Sequence, residues 1–357
     1  MSKIVLIVGG CGFVGSSIAI NLKQNYPNYR IIALDNLKRR GSELNINRLQ
    51  ELGVEFVHGD IRNKEDLAIF KNIDVLIEAA AEPSVMAGLD NNTAYLMHTN
   101  LNGTINCLDL ALQNQASFIF LSTSRVYPIH YLENTNFIEA ETRFELSEQQ
   151  SIRGFSKNGV SEDFPMDKAR SLYGTTKYAS ELIIQEYHEM LGLKTVVNRC
   201  GVLTGAYQMG KIDQGVVVLW MAKHFWKQQL GYFGYGGEGK QVRDILHTLD
   251  LYNLIDYQIH NIDKNTINGQ TFNVGGGRNS SVSLKELTAF CEEITGNKIP
   301  ITQVKENRVA DIRIYLTDNQ KVTQTTNWIP KTTVKEILQE IYEWIKKNEQ
   351  QLKRILG

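Results

Sequence analysis

Residues 4–15 read IVLIVGGCGFVG, and this stretch decides the fold class of the 357-residue chain. Its five leading apolar residues predict a buried strand, which Gly9, Gly12 and Gly15 follow directly before helical periodicity over 16–25. Glycine permits a tight turn and a close approach of backbone to pyrophosphate, and the N–H groups at a helix start favour negative charge. The stretch therefore predicts a strand, a phosphate-binding turn and a helix of a dinucleotide site.

Further apolar runs continue the alternation of strand and helix. Because segments of helical periodicity such as 95–113 and 173–191 separate the runs, the strands should be parallel and covered on both faces. The runs lie at 31–34, 55–57, 75–77, 118–121 and 195–197. The predicted fold is α/β, with a doubly wound parallel (Rossmann) sheet and a smaller mixed C-terminal substrate-binding part.

Changes in composition predict how the chain divides. A polar, charged segment over 130–170 predicts an excursion from the sheet near the substrate. Farther on, the elements become shorter and mixed, with a predicted loop at 231–239. We therefore expect a dinucleotide-binding domain over 1–200 and a mainly substrate-binding part over 201–357, with a boundary that the chain crosses more than once.

Charged residues after the second and third strands bear on the choice of cofactor. Asp35 ends the second strand, where a carboxylate accepts hydrogen bonds from ribose hydroxyls and repels a 2′-phosphate, which favours NAD over NADP. Lys38, Arg39 and Arg40 follow closely and leave open a site for a 2′-phosphate. Asp60, after the third strand, is either a ligand of the adenine amino group or an ordinary turn residue.

The charge balance excludes several classes of partner. With 38 basic and 39 acidic side chains the net charge is −1, so no overall field attracts nucleic acid or a membrane surface. The stretch 4–22 is uncharged, as a signal peptide or a membrane span would be. Glycines interrupt it and no cleavage-site pattern follows, which argues against both interpretations. We expect a cytoplasmic protein with no nucleic-acid or membrane partner.

The cysteines give no sign of a metal site or a disulfide framework. They show no CxxC pair and no ligand spacing with histidine. They are Cys11, Cys107, Cys200 and Cys291. We expect reduced, buried thiols and no bound metal.

Three residues form a candidate catalytic group. Tyr173 and Lys177 form a YxxxK pattern at the start of a helical segment, which places both side chains on one helix face. The pattern alone is more often a surface pair. Thr123, however, follows a predicted strand at the carboxyl edge of the sheet and offers a hydroxyl to a substrate. A tyrosine with its ordinary pKa of about 10 must lose a proton to act as a base, and we expect the Lys177 ammonium to lower that pKa.

Motifs along nearly the whole chain resemble the extended short-chain dehydrogenase/reductase family, in its nucleotide-sugar epimerase and dehydratase branch. They are GGCGFVG at 9–15, DNL at 35–37, HGDIR at 58–62, Asn100 with Gly103 and Thr104, Thr123 with Val126 and Tyr127, Tyr173 with Lys177, Arg243 and Asp244 with His247 and Asp250, NVGG at 273–276, and Trp328 with Pro330. The resemblance implies NAD as the cofactor, a nucleotide-diphosphate sugar as the substrate, and a homodimer that packs helices 95–113 and 175–191.

The resemblance also implies roles for individual residues. The implied catalytic residues are Thr123, Tyr173 and Lys177. The implied cofactor-binding residues are Gly9, Gly12, Phe13, Val14, Gly15, Asp35, Asn36, Asp60, Ile61, Ala79, Ala80, Asn100, Tyr173 and Lys177. The implied substrate-binding residues are Thr123, Ser124, Asn198, Gln214, Gln241, Arg243 and Arg308. Arginine suits a diphosphate because its guanidinium forms forked hydrogen bonds.

Two of these motifs have a structural alternative. Arg308 also suits a surface ion pair with Asp311. His247 is expected to bond to backbone rather than to act as a base, because Tyr173 already fills that role.

Finer features separate the members of the branch. Segments 141–143, 213–215 and 239–244 look most like CDP-paratose 2-epimerases, also called CDP-tyvelose epimerases. Glu78 stands where the family often has histidine, and its role is unassigned. Ser124 and Arg125 stand where sugar 4,6-dehydratases usually carry an acid pair, so dehydration is disfavoured.

The predicted activity is epimerisation through a transient keto sugar. Tyr173 removes a hydroxyl proton while NAD takes the hydride, which then returns to the other face of the sugar. The resemblance points to carbon 2 of a CDP-dideoxyhexose, and a UDP-hexose 4-epimerase is the alternative. A sugar-nucleotide reductase or decarboxylase and a non-catalytic NAD-sensing regulator are less favoured readings.

Overall fold

Parallel strands form the centre of the molecule. The computed structural model describes residues 2–89, 92–210 and 214–357. Its strands are β1 (Ile4–Val8), β2 (Arg30–Asp35), β3 (Glu55–His58), β4 (Val75–Glu78), β5 (Ser117–Thr123), β6 (Phe137–Glu139), β7 (Phe144–Leu146), β8 (Phe155–Ser156), β9 (Gly159–Val160), β10 (Thr195–Cys200), β11 (Val202–Thr204), β12 (Leu230–Phe233), β13 (Val242–His247), β14 (Gln270–Val274), β15 (Ser281–Ser283), β16 (Ile301–Val304) and β17 (Ile314–Tyr315). The central sheet has the order β14-β10-β5-β4-β1-β2-β3 and is parallel throughout. The predicted doubly wound sheet is confirmed, and each predicted run lies in one of its strands.

Helices cover both faces of this sheet. They are α1 (Phe13–Asn25), α2 (Asn45–Glu51), α3 (Lys64–Leu67), α4 (Ala94–Met97), α5 (Gly103–Asn114), α6 (Ile129–Glu133), α7 (Leu172–Leu191), α8 (Val216–Phe225), α9 (Thr248–Asn261), α10 (Leu284–Thr295), α11 (Gln320–Thr326), α12 (Val334–Lys347) and α13 (Glu349–Leu356). Val5 and Ile7 of β1 share a core with α1 and α9, whereas Leu6 and Val8 share the opposite core with α5 and α7. Successive strand residues point to opposite faces, so a sheet covered on both sides needs uninterrupted apolar strands.

The C-terminal half adds one strand to the central sheet and also forms a second core. Strand β14 pairs in parallel with β10, with Val274 opposite Cys200. Helices α8, α10 and α12 enclose a separate apolar cluster, which includes Ile245 of β13. Strand β13 pairs with β11, and β11 begins two residues after β10 ends, so this part lies next to the carboxyl edge of the sheet.

The predicted excursion over 130–170 contains two short hairpins, β6–β7 and β8–β9, within mostly irregular backbone. Its buried aromatic side chains Phe144, Phe155 and Phe164 share a core with Tyr315 of β17. The excursion thereby joins the end of β5 to the C-terminal part.

Two local predictions need correction. The predicted loop at 231–239 begins as strand β12, which pairs with β16, because Leu230 and Tyr232 alternate inward and are buried. The predicted helix over 95–113 is divided by a π-helical turn, His98–Asn102, between α4 and α5.

The remaining composition-based predictions concern thiols and membranes. The four cysteines are free and buried, as expected. In the part of the chain that the structure describes, no helix combines the length and apolar character needed to span a membrane.

Candidate active site

The glycine turn between β1 and α1 is fixed by close backbone contacts. Gly9 has φ +74°, and a Cβ there would lie 2.6 Å from the Ala80 nitrogen. A Cβ at Gly15 would lie 2.2 Å from the Gly9 oxygen. Both positions therefore require glycine, and the Ala79–Ala80 backbone after β4 forms one wall of the turn.

The start of α1 suits a pyrophosphate. Gly12 is the N-cap residue, it provides no side-chain cap, and the first turn carries no acidic residue. A Cβ at Gly12 would meet only the Gly9 oxygen, at 3.1 Å, so the helix start is open above this residue. The N–H groups of the first turn, which includes Phe13 and Val14, are thus available to an anion.

Asp35 lies beside the glycine turn at the end of β2. Its Oδ2 accepts a hydrogen bond from the Cys11 nitrogen at 3.0 Å, and its Oδ1 accepts one from the Leu37 nitrogen at 2.8 Å. Burial raises the pKa of this carboxyl, while the backbone donors oppose the rise. The arrangement fixes a carboxylate at the end of β2, and its contact with the ribose of NAD stays a prediction.

The cations after Asp35 have contacts elsewhere in the chain. The Lys38 ammonium lies 2.9 Å from the centre of the Tyr95 ring, and the Arg40 guanidinium donates to the Arg354 oxygen at 2.8 Å. Arg39 donates to the Met209 oxygen at 2.5 Å. These contacts favour NAD over NADP.

Asp60 is held as a turn residue. Its Oδ2 accepts from the Asn36 amide at 2.9 Å, its Oδ1 accepts from the Arg62 nitrogen at 3.0 Å, and the Arg62 guanidinium forms an ion pair at 2.6 Å. The adjacent Ile61 is buried, and its carbonyl accepts a hydrogen bond from Asn106. These contacts match the turn alternative, and a contact of Asp60 with adenine stays a prediction.

The structure brings Thr123 and Tyr173 together. Thr123 ends β5, and Tyr173 lies in the first turn of α7, where the Ser171 hydroxyl accepts a hydrogen bond from the Gly174 nitrogen at 3.1 Å and caps the helix. The Thr123 side chain lies close enough to the Tyr173 hydroxyl to lower the pKa of the tyrosine as a hydrogen-bonding neighbour. Both residues are buried at the carboxyl edge of the sheet.

The direction of the Tyr173 pKa differs from the prediction. Burial raises it to about 12, while the hydrogen bond with Thr123 and the charge of Arg125 oppose the rise. Lys177 is buried below the tyrosine, with its Nζ 3.8 Å from the centre of the Phe120 ring. Tyr173 and Lys177 lie one turn apart on α7, and Arg125 is a further cation, whose charge lowers the pKa of the tyrosine.

Arg125 is a site residue that the sequence analysis did not include. It lies in the turn Ser124–Val126, and its backbone nitrogen donates to the Thr123 hydroxyl oxygen at 3.2 Å. Its guanidinium donates to the Ala310 oxygen at 3.1 Å. Burial and the nearby Arg243 lower its pKa to about 10. The only signal in the sequence was its position two residues after Thr123, which we used solely to disfavour dehydration.

The two predicted diphosphate ligands lie in the C-terminal part. Arg243, on β13, forms an ion pair with Asp311 at 2.9 Å and donates to the Ile312 oxygen at 2.6 Å. Arg308 lies over Phe233, with its guanidinium carbon 4.0 Å from the ring centre. The pairing of Arg308 with Asp311 is therefore wrong, since Asp311 binds Arg243 instead.

The two predicted amide ligands near these arginines have different settings. Gln241 donates to the Phe233 oxygen at 2.9 Å, and its own amide oxygen is buried without a partner among the described residues. The Gln214 amide oxygen is also buried without a partner among the described residues. Its neighbour Asp213, in the 213–215 motif, lies outside the described residues.

Two predicted ligands are placed behind the site. The Asn198 amide on β10 is fully buried in a reciprocal pair with Gln258 of α9, at 2.9 and 2.8 Å. The buried Asn100 amide bonds to both backbone groups of Glu82, at 2.7 and 3.0 Å. These partners use the polar atoms of both side chains, which supports a structural role, and direct contact of either residue with a ligand stays a prediction. His247 caps α9 by accepting from the Leu249 nitrogen at 3.2 Å, as its structural alternative predicts.

Comparisons with known proteins show the family of this chain. The model of the NAD dependent epimerase/dehydratase family matches residues 5–275. CDP-paratose 2-epimerase of Salmonella typhi is 34% identical over 350 residues, which cover 95% of this chain and 98% of that enzyme. A putative UDP-glucose 4-epimerase of Methanocaldococcus jannaschii is 28% identical, over 96% of this chain and 99% of that protein. The solved structure of dTDP-glucose 4,6-dehydratase from Bacillus anthracis in complex with NAD has a TM-score of 0.76 at 25% identity and covers 99% of both chains.

Proposed function

The chain belongs to the NAD-dependent epimerase/dehydratase family, and we propose that it inverts carbon 2 of a CDP-linked dideoxyhexose. The predicted family, the enzyme class and NAD as the cofactor are confirmed, and the protein is an NAD-dependent nucleotide-sugar epimerase. The nucleobase, the sugar and the carbon belong to the proposal. Identity of 34% to CDP-paratose 2-epimerase across 95% of the chain supports them.

The position of Tyr173 beside Thr123, both buried at the carboxyl edge of the sheet, is the observation that carries the proposed reaction. It places a potential base and a second hydroxyl side by side at the carboxyl edge of the sheet, where ligands of this fold bind. The next two residues are Ser124 and Arg125, so the turn lacks the acid pair that elimination of water would use. This set suits reversible oxidation of a carbinol.

In the proposed reaction, Tyr173 accepts the proton of the sugar hydroxyl while Thr123 holds the hydroxyl oxygen. When bound, NAD accepts a hydride from the carbinol carbon and returns it, and its nicotinamide ring adds a positive charge. Arg125 opposes the effect of burial on Tyr173, so we assign to it the stabilisation of the tyrosinate. The same tyrosine returns the proton when the sugar is reduced.

Inversion requires the keto sugar to turn while its nucleotide stays anchored. Arg243 and Arg308 are the proposed anchors of the diphosphate. In the structure, Asp311 occupies one side of the Arg243 guanidinium at 2.9 Å. We propose that a phosphate of the substrate replaces the Asp311 carboxylate on the Arg243 guanidinium, because both anions accept hydrogen bonds from the same pair of N–H groups.

Substrate deuterated at the inverted carbon tests the reaction. The product should keep the deuterium in ordinary water, without added NADH and without a steady rise in absorbance of reduced cofactor. Exchange of the label with solvent would refute the transient keto mechanism. Accumulation of keto sugar in proportion to NAD consumed would identify a dehydrogenase instead.

A UDP-hexose 4-epimerase is the second candidate, because the 28% identical relative carries that putative assignment. Mass spectrometry of nucleotide sugar retained by the purified protein, followed by turnover of CDP- and UDP-sugars, separates the two. Turnover of a UDP-hexose alone would overturn the CDP-sugar proposal and leave the epimerase assignment in place.

We also propose a homodimer that uses α7. Leu182 and Met190 on this helix are 48% and 76% exposed. Light scattering at micromolar concentration should give twice the mass of the chain, and Leu182→Glu should reduce it; a monomeric parent protein would remove the claim. A cytoplasmic location stays a prediction.

A further inference from the structure

Glu78 is a fully buried acid that the proposed reaction does not use. It is the last residue of β4, and its Oε1 accepts a hydrogen bond from the Thr104 hydroxyl at 2.6 Å. Its Oε2 is buried and has no hydrogen-bond partner in the described part of the chain. A carboxylate in such a place needs a compensating charge.

Lys177 lies beside this carboxylate. Glu78 and Phe120 face each other in the parallel ladder of β4 and β5, so their side chains project from the same face of the sheet. The Lys177 ammonium lies over that Phe120 ring, at 3.8 Å from its centre. The ladder thus brings the ammonium and the carboxylate into one enclosed space.

The other ionisable groups around Lys177 do not balance its charge. Glu181, on the next turn of α7, binds the Arg199 guanidinium at 2.7 Å. The thiols of Cys107 on α5 and Cys200 on β10 are buried, and burial raises the pKa of each, which keeps them neutral. Glu78 is therefore the carboxylate available to Lys177 among the described residues.

We propose that Glu78 is a positioning residue, the buried counter-ion that keeps Lys177 charged and held below the catalytic tyrosine. The proposal rests on the assignment of Lys177 to the proposed site. Burial raises the pKa of Glu78 and lowers that of Lys177, while the charge of each partner opposes the effect on the other. Without the carboxylate, the buried lysine would more readily lose its proton and with it the ability to donate a full set of hydrogen bonds to a ribose.

A double-mutant cycle in thermal unfolding, at a fixed saturating NAD concentration, tests this pairing. Removal of one partner of a buried ion pair is strongly destabilising, so Glu78→Gln should lower the unfolding midpoint by about 5 °C or more when Lys177 is present. In the Lys177→Met background the same change should cost less than half as much, because no unpaired ammonium remains. Equal losses in both backgrounds would overturn the proposal.

Cys107→Ala is the matched control, since it alters the same enclosed space without altering charge. Its effect on the midpoint should be the same with and without Lys177. A cost of Cys107→Ala that depends on Lys177 as strongly as that of Glu78→Gln would show that packing, not charge, couples these positions, and would overturn the proposal.

The pH profile of kcat gives a second readout. Glu78→Gln should move the alkaline limb to lower pH, because Lys177 then loses its proton at lower pH, whereas Glu78→Asp, which keeps the charge, should leave the limb in place. A uniform loss of kcat across the pH range would contradict the charge role. If Glu78→Gln does not fold, two other proteins still test the pairing: Glu78→Asp and the double variant Glu78→Gln/Lys177→Met. A shifted alkaline limb in Glu78→Asp, or failure of the double variant to fold, would overturn the pairing.

The unfolding cycle needs no sugar, so its result is independent of the deuterium test.

Discussion

The cofactor side and the sugar-nucleotide side of the site are built differently. On the cofactor side, backbone atoms set the shape, since a Cβ at Gly9 or Gly15 would lie within 2.6 Å of neighbouring backbone. On the other side, Arg243 and Arg308 come from separate segments, and their guanidinium groups rest on Asp311 and on the Phe233 ring. One surface is fixed by the chain itself, whereas the other depends on side chains that can exchange partners.

This difference follows from what each side must hold. A dinucleotide presents the same pyrophosphate and riboses in every turnover, so a rigid turn and one fixed carboxylate, Asp35, are sufficient. A sugar that turns between two hydride transfers needs an anchor with room around it. The contrast predicts that substitutions on one side leave binding on the other side unchanged.

The largest effect is expected where the two sides meet, at the tyrosine. Tyr173→Phe should lower kcat by about 10²-fold or more, because it removes the general base and little volume. NAD affinity should be unchanged when measured by calorimetry. Tyr178→Phe, on the same helix with its ring against Arg170, is the control and should keep its activity. Near-normal turnover of Tyr173→Phe would end the assignment of the base.

The next effect is confined to the sugar-nucleotide side. Arg243→Met should raise KM for the nucleotide sugar by about 10- to 100-fold, the equivalent of one or two hydrogen bonds to a charged group, with NAD affinity unchanged. Arg278→Met is a suitable control, because Arg278 is held by Glu145 at 2.8 Å on the surface. An equal loss of NAD affinity in Arg243→Met would break the separation between the two sides.

A smaller effect is expected on the cofactor side. Asp35→Ala should weaken NAD and narrow its advantage over NADP by about tenfold, since the carboxylate is the element that repels a 2′-phosphate. Titration of the protein with both cofactors measures the ratio, and Asp74→Ala serves as a control because Asp74 bonds to the Ile4 nitrogen at the far end of β1. Equal affinities of the parent protein for NAD and NADP would favour a 2′-phosphate site formed by Lys38, Arg39 and Arg40.

The smallest effect concerns stability in acid. Burial acts to raise the pKa of Asp60, but hydrogen bonds from Arg62 and Asn36 outweigh it and lower the pKa to about 2. A carboxyl with a depressed pKa stabilises the fold above its unfolded pKa and loses that contribution as the pH falls, here between about 4 and 2. Asp60→Asn should remove about 1 kcal/mol or less of that acid-dependent stability, because the Arg62 partner is partly exposed. Parallel urea unfolding at pH 6 and pH 3 measures it, and identical pH dependence in both proteins would contradict the pairing.

Local patterns predicted the parts of this molecule that local geometry determines. The strand ends, the glycine turn and the shared face of Tyr173 and Lys177 follow from periodicity and spacing. Asp311 shows the limit, since Arg308, three residues before it, was the partner considered from the sequence, but Arg243, on β13, is its partner in space. Ion pairs between distant segments depend on tertiary packing that no window of sequence contains.

The surroundings of Asn198 and Glu78 could not be predicted for a related reason. The face that a strand residue presents follows from alternation, but the identity of the helix that covers this face does not. Asn198 meets Gln258 of α9, so an amide predicted for the substrate is used within the core. Glu78 and Lys177 of α7 both lie beside Phe120, and this shared position is the basis of the role proposed for Glu78.

The return of β14 to the sheet bears on how this protein is synthesised. The outer edge of β10 receives its neighbour only when residues 270–274 have left the ribosome, after α8, β13 and α9. Until then the edge presents unpaired backbone donors and acceptors, a template for pairing with another chain. Nascent chains that stall before residue 270 should therefore aggregate or depend on chaperones, although every residue of the dinucleotide turn has already been translated.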